Sequence, residues 1–104
     1  MKLISIESYP GKQYEVLGLV KGTIVQTKNL GRDFMAGMKS LVGGELVGYT
    51  EMLNEARQLA TKRMVDEADS LGADAVIGVR YGSSQVMQGA AEVVAYGTAI
   101  KFTK

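Results

Sequence analysis

The 104-residue chain contains no cysteine and no histidine. That double absence removes thiolate nucleophiles, imidazole general bases, zinc-finger sites and disulfide frameworks together, and most metal and protease chemistry goes with them. Neither sign of charge is in excess: 12 basic and 11 acidic residues are spread along the chain for a formal net charge of +1. Nucleic acid and anionic membrane surfaces therefore find no electrostatic footprint. Long apolar runs are missing as well. The opening Met1-Lys2-Leu3-Ile4-Ser5-Ile6 is cut off by Glu7, short of the apolar core of a signal peptide, and no later run approaches a membrane span. A cytoplasmic address is the expectation. Proline occurs once against 13 glycines, a ratio that assigns the glycines to turns and close packing, since a flexible linker would carry Ser and Pro beside them.

What is present fits one α+β domain over residues 1–104, long enough to bury roughly two-thirds of the surface its unfolded chain exposes. From Tyr14 to Thr27 the residues favour a strand. One alternating face reads Tyr14, Val16, Gly18, Val20, Gly22, Ile24, and the other carries Leu17, Leu19 and Val25. Leu3 to Ile6 forms a short edge strand before it, closed by the turn signal Tyr9-Pro10-Gly11-Lys12. Asn29 caps a short helix whose stripe is Leu30, Phe34, Met38 and Leu41, and Gly43-Gly44 breaks it.

A longer helix runs from about Leu46 or Thr50 to Leu71, with Tyr49, Leu53, Ala56, Ala60, Met64, Ala68 and Leu71 along one face and Gly72 as its C-terminal cap. Asn54, Gln58, Lys62, Asp66 and Asp69 form its solvent face. Ala75 to Tyr81 is a strand with apolar residues on both faces, followed by turn-forming Gly82-Ser83-Ser84-Gln85 and Gln88-Gly89. The last strand, about Ala91 to Thr103, places Glu92, Val94, Tyr96, Thr98, Ile100 and Phe102 on a bulky face. Val93, Ala95, Gly97 and Ala99 make the small face. The expected architecture is an antiparallel sheet of three or four strands packed with one long and one short helix.

Three main strands that are apolar on both faces exceed what two helices cover, so a second copy of the chain is the expected partner. Gly18, Gly22, Gly78 and Gly97 would let another backbone or a helix approach closely. The alternative is that the short helix covers the second face within one chain.

Several residues could carry function, each with a plainer role beside it. Gly43-Gly44 could present amides to an anion but more simply makes a sharp turn between helices. Arg32-Asp33 reads as an interface ion pair or cap, with ligand contact as the alternative. Glu92 shares a face with Val94, Tyr96 and Ile100 and needs a partner if buried, which Arg57 or Arg80 could supply. The sharper alternative is a ring of Glu92 carboxylates about a symmetry axis holding a hard cation. Asp74, after Gly72-Ala73, reads as a turn residue ahead of a metal ligand. The six methionines read as core filling, and Tyr49, Tyr81 and Tyr96 as packed aromatics with polar tips.

In this order along nearly the whole chain, Gly31-Arg32-Asp33-Phe34, Val42-Gly43-Gly44 with Tyr49, Ala56-Arg57, Leu71-Gly72-Ala73-Asp74-Ala75-Val76-Ile77-Gly78-Val79 and Tyr96-Gly97-Thr98-Ala99 resemble the YbjQ-like family, described as heavy-metal-binding proteins. The resemblance implies a dodecin-like α+β subunit assembled into a ring, usually a pentamer, with no known cofactor. Any metal would have to use carboxylates, hydroxyls or backbone carbonyls. The leading functional expectation is a non-enzymatic homo-oligomeric binding or scaffold protein. The alternative is an enzyme whose subunit-interface site is built from Arg32, Asp33, Tyr49, Arg57 and Glu92.

Overall fold

The computed structural model describes residues 1–27, 41–42 and 45–104, with side chains at 1–27 and 48–104. The elements are β1 (Lys2–Leu3), β2 (Tyr14–Thr27), β3 (Leu41–Val42), β4 (Glu45–Leu46), α1 (Val47–Ser70), β5 (Ala75–Met87) and β6 (Ala90–Phe102). The main sheet has the order β1-β5-β6-β2, and β3 with β4 makes a small antiparallel pair. The sheet is mixed, since β1 runs parallel to β5 while β2–β6 and β5–β6 are antiparallel. This corrects the all-antiparallel expectation, and its cause is topological. β1 and β5 are not joined by a hairpin, so the N-terminal strand is free to enter the edge in either direction. The expected short helix lies outside the described residues apart from its last stripe residue, Leu41, which stands in β3.

Helix α1 forms where Met52, Ala56, Ala60, Met64 and Ala68 recur at a spacing of four, and all five are buried. The expected solvent face from Asn54 to Asp69 is exposed, and the expected inward Leu71 is exposed too, because the helix ends at Ser70. Gly72, at φ 79°, closes it through its own amide to Asp69 O (3.0 Å), with Ala73 N bonded to Ala68 O (3.1 Å).

The alanine stripe packs on Val20, Val76, Val79, Val93, Ala95 and Ala99, the helix-facing side of the sheet. The helix lies unusually close to β2. A Cβ on Gly22 would strike Ala60 O, and would sit 2.5 Å from Met64 N and 2.8 Å from Arg63 Cβ. Gly22 serves the chain's own packing, as does Gly97, where an added Cβ would lie 2.7 Å from Val76 Cγ1, while Gly18 has nothing within 4 Å.

A bulge between Val16 and Gly18, with Gly18 at φ 133°, shifts the β2 register. Leu17 consequently turns toward the helix side, and Val16 joins Tyr14 on the outer side. The single alternating face expected from Tyr14 to Ile24 is broken there. β5 carries a second irregularity between Ile77 and Arg80 and then runs on to Met87. Gly82-Ser83-Ser84-Gln85 thus stays in the strand, and only Gln88-Gly89 makes the turn. The radius of gyration is 17.0 Å, against about 13 Å for a compact chain of this length.

Candidate functional site

The two faces of the sheet end up with different cover. On the outer side, opposite α1, the segment after β1 folds across Ala75, Ile77 and Ile100, bringing Ile4 and Tyr9 against Tyr14 and Phe102. The Tyr9 and Phe102 rings lie 4.9 Å apart, tilted by 60°. Backbone bonds hold this segment down: Ile4 N to Val76 O (3.0 Å), Val79 N to Ile4 O (3.0 Å) and Gly78 N to Ile6 O (2.8 Å). The chain itself thus covers half of the face that the sequence assigned to a partner. The other half is bare among the described residues. Val16 is 63% exposed, Leu19 66%, Val25 53% and Tyr96 41%, although cross-strand pairing puts them on one surface with Lys21, Thr23, Thr98, Val94 and Glu92.

The sheet edge at β2 is treated differently. Glu67 Oε1 on α1 accepts from Lys21 N (3.2 Å), and Arg63 Nη1 donates to Thr23 O (2.6 Å). Two outward backbone groups of this 14-residue edge strand are thereby satisfied by helix side chains, which blunts it against pairing with another chain.

Three of the five candidate residues are in the described part, and one chain does not bring them together. Arg32 and Asp33 lie outside it. Glu92 is half-buried on the outer face. Its two expected partners are engaged elsewhere: Arg80 bonds Glu7 Oε1 (3.2 Å) and Ser5 O, and Arg57 bonds Asn54 Oδ1 on the helix side of the sheet. Arg57 lines an open groove of about 560 Å³ with Gln58, Thr61 and Tyr81. There the Thr61 and Tyr81 hydroxyls are 2.8 Å apart, and Thr61 Oγ1 donates to Arg57 O (2.7 Å). Tyr49 lies two helical turns away, roughly 12 Å along α1, and lines a different cavity.

Asp74 is the turn residue the sequence favoured. Its carboxylate accepts from Phe102 N (2.7 Å) and its amide donates to Ile100 O (2.8 Å). Glu92 is eight residues along β6 from Ile100, roughly 27 Å, so Asp74 and Glu92 cannot share an ion within one chain. Among the described residues no three Asp or Glu side chains cluster in a way that could hold a metal.

The cavity at Tyr49 has a volume of about 470 Å³ and sits between the first turns of α1 and the tip of the β5–β6 hairpin. Met52 and Leu53 face Ala90 and Ala91 across it, and Ser83, Gln85 and Gln88 bring neutral polar groups. Sequence reasoning missed this site. The one available signal was Ala90-Ala91 following Gly89, small residues where a hairpin core usually carries larger ones.

No helix among the described residues is long and apolar enough to cross a membrane. The chain is 59% identical over 101 residues to a UPF0145 protein of Clostridium novyi (strain NT), covering 97% of this chain and 98% of that one. It is 56% identical over 105 residues to a UPF0145 protein of Thermotoga maritima, covering 100% and 99%. A crystal structure from Pediococcus pentosaceus, of a protein with unknown function in the DUF74 family, matches with a TM-score of 0.64 at 20% identity, covering 98% of this chain and 97% of that one, and so shares the fold. The profile of the YbjQ family, described as “Putative heavy-metal-binding”, matches residues 1–103, and the chain belongs to that family.

Proposed function

We propose that the protein is a non-enzymatic homo-oligomeric binding or scaffold subunit, a dodecin-like unit that assembles in the cytoplasm into a closed ring, a pentamer, through the bare half of its outer sheet face. The observation that carries this reading is the exposure of Val16, Leu19, Val25 and Tyr96 on one surface of the sheet, where Lys21 and Thr23 stand between Leu19 and Val25. Monomers rarely leave such a surface open. The extended shape, with a radius of gyration of 17.0 Å, supports it as well. Because Glu67 and Arg63 guard the β2 edge, association runs through the face and leaves that edge alone.

The donor set does not fit the heavy-metal description of the family. Soft metals select thiolate and imidazole, and the chain has no cysteine and no histidine. Its two acidic candidates, Asp74 and Glu92, are far apart. Binding is therefore assigned to apolar and neutral polar surfaces. Native mass spectrometry of the purified protein tests the assembly: the expected species has five times the mass of the 11.2 kDa chain. A single chain at micromolar concentration would overturn the proposal.

A further inference from the structure

We infer that the cavity between α1 and the β5–β6 hairpin is a binding site for an uncharged, planar small molecule that carries an amide edge. The site lies within one chain, so this goes beyond the proposed assembly and stands or falls without it. Its volume of about 470 Å³ is within the range of ordinary ligand pockets, roughly 300–1,000 Å³. Its shape follows from the residues. Met52 and Leu53 from the helix and Ala90 and Ala91 from β6 leave a slot between two apolar walls, and a larger side chain at either alanine would fill it. Tyr49 adds a half-buried ring at the helix end of the slot, where a flat molecule can lie against it.

The polar groups set the charge of the ligand. Ser83, Gln85 and Gln88 offer hydroxyl and amide donors and acceptors, and no Asp, Glu, Lys or Arg is on the described wall. A charged ligand would gain no counter-charge from the described wall, whereas a neutral amide finds hydroxyl and amide partners there.

The test is a titration of the isotope-labelled protein with benzamide, followed by amide chemical shifts, with benzoate as its charged counterpart. Benzamide is expected to give saturable shifts confined to residues 49–53 and 83–91, and benzoate to bind at least about tenfold more weakly. Ala91→Phe should abolish the benzamide response. Should that variant fail to fold, Gln85→Leu, at an exposed position, is expected to remove the preference for benzamide over benzoate. No benzamide shifts in these segments at millimolar concentration, equal binding of benzoate, or an unchanged preference in a folded variant would each overturn the inference.

Discussion

Replacing Gly22 by alanine adds a single methyl group, and the structure sets what that methyl meets. It would collide with Ala60 O, sit 2.5 Å from Met64 N and 2.8 Å from Arg63 Cβ. Two of these are helix backbone atoms, which have no rotamer to escape into. Restoring ordinary contact distances of about 3.5–4.0 Å to all three atoms moves α1 away from β2 by about 1.5–2 Å. Overpacking of this kind costs about 2–3 kcal/mol, offset by about 0.4–1 kcal/mol from the lower entropy of the unfolded chain. A net loss of about 2 kcal/mol lowers the melting temperature by roughly 8–16 °C for a domain of this size. Gly48→Ala is the internal control. Nothing lies within 4 Å of the added atom, and at the second residue of α1 the preference for alanine is at most the roughly 0.5–1 kcal/mol of a helix interior, so that variant should melt no lower than the parent and at most roughly 8 °C higher. Both are measured by circular dichroism at one protomer concentration, since assembly would make the midpoint depend on it. A Gly22→Ala protein melting within about 2 °C of the parent would refute the close helix–strand approach.

The outer face gives a second prediction. Leu19→Lys should leave the stability of one chain within about 0.5 kcal/mol but remove about 1.5–3 kcal/mol per contact if Leu19 is buried between copies, so light scattering should report smaller species; an unchanged mass would move the interface elsewhere. The edge guard gives a third: the double variant Arg63→Ala, Glu67→Ala uncovers Lys21 N and Thr23 O and should aggregate faster on mild heating, by turbidity, while the single-chain fold loses only about 1–3 kcal/mol for two bonds. The fourth concerns metal. Cadmium or zinc at a hundred times a true dissociation constant would stabilise the folded chain by about 2.7 kcal/mol, and no rise in melting temperature is expected at millimolar ion, so a clear rise would restore the heavy-metal assignment.

Much of the frame is written locally. Tyr14 to Thr27 is one strand end to end, because β-branched residues recur through it and its two glycines are accommodated, Gly18 by a bulge and Gly22 under the helix. The span of α1 follows from its stripe and from Gly72, with ends at Val47 and Ser70. The two faces of β6 separate as their side-chain sizes predict, small residues toward the helix. What failed depends on single backbone positions. The bulge before Gly18 exchanges the faces of Val16 and Leu17, and no periodicity count detects one extra residue. The direction of β1 and the cover given by Ile4 and Tyr9 are contacts between distant parts of the chain. Glu92 was correctly placed on the bulky outer face, but its partners were misassigned: Arg80 is drawn to Glu7 by the folded-over N-terminal segment, and Arg57 lies on the opposite side of the sheet.

The two uncovered regions have one geometric origin. Helix α1, at 24 residues, is roughly 36 Å long, whereas β5 and β6, at 13 residues each, reach roughly 43 Å. The helix is pinned at its C-terminal end by the Gly72–Ala73 turn, by Asp74 and by the bond from Lys101 Nζ to Gly72 O. Its shortfall therefore falls at the hairpin end, where Val86 and Met87 are exposed and the cavity opens. On the outer side the N-terminal segment is tied down beside Ala75 and Ile77, at the same pinned end, so its cover also stops before Leu19, Val25 and Tyr96. Both layers are anchored at one end of a sheet longer than either. This leaves a slot on the helix side and an apolar surface on the other, separated by the sheet. A substitution that fills the slot at Ala91 should therefore leave the oligomeric mass unchanged, and Leu19→Lys should leave the benzamide response unchanged. If either substitution altered both properties, the two surfaces would be coupled through the sheet and the independence argued from this geometry would be lost.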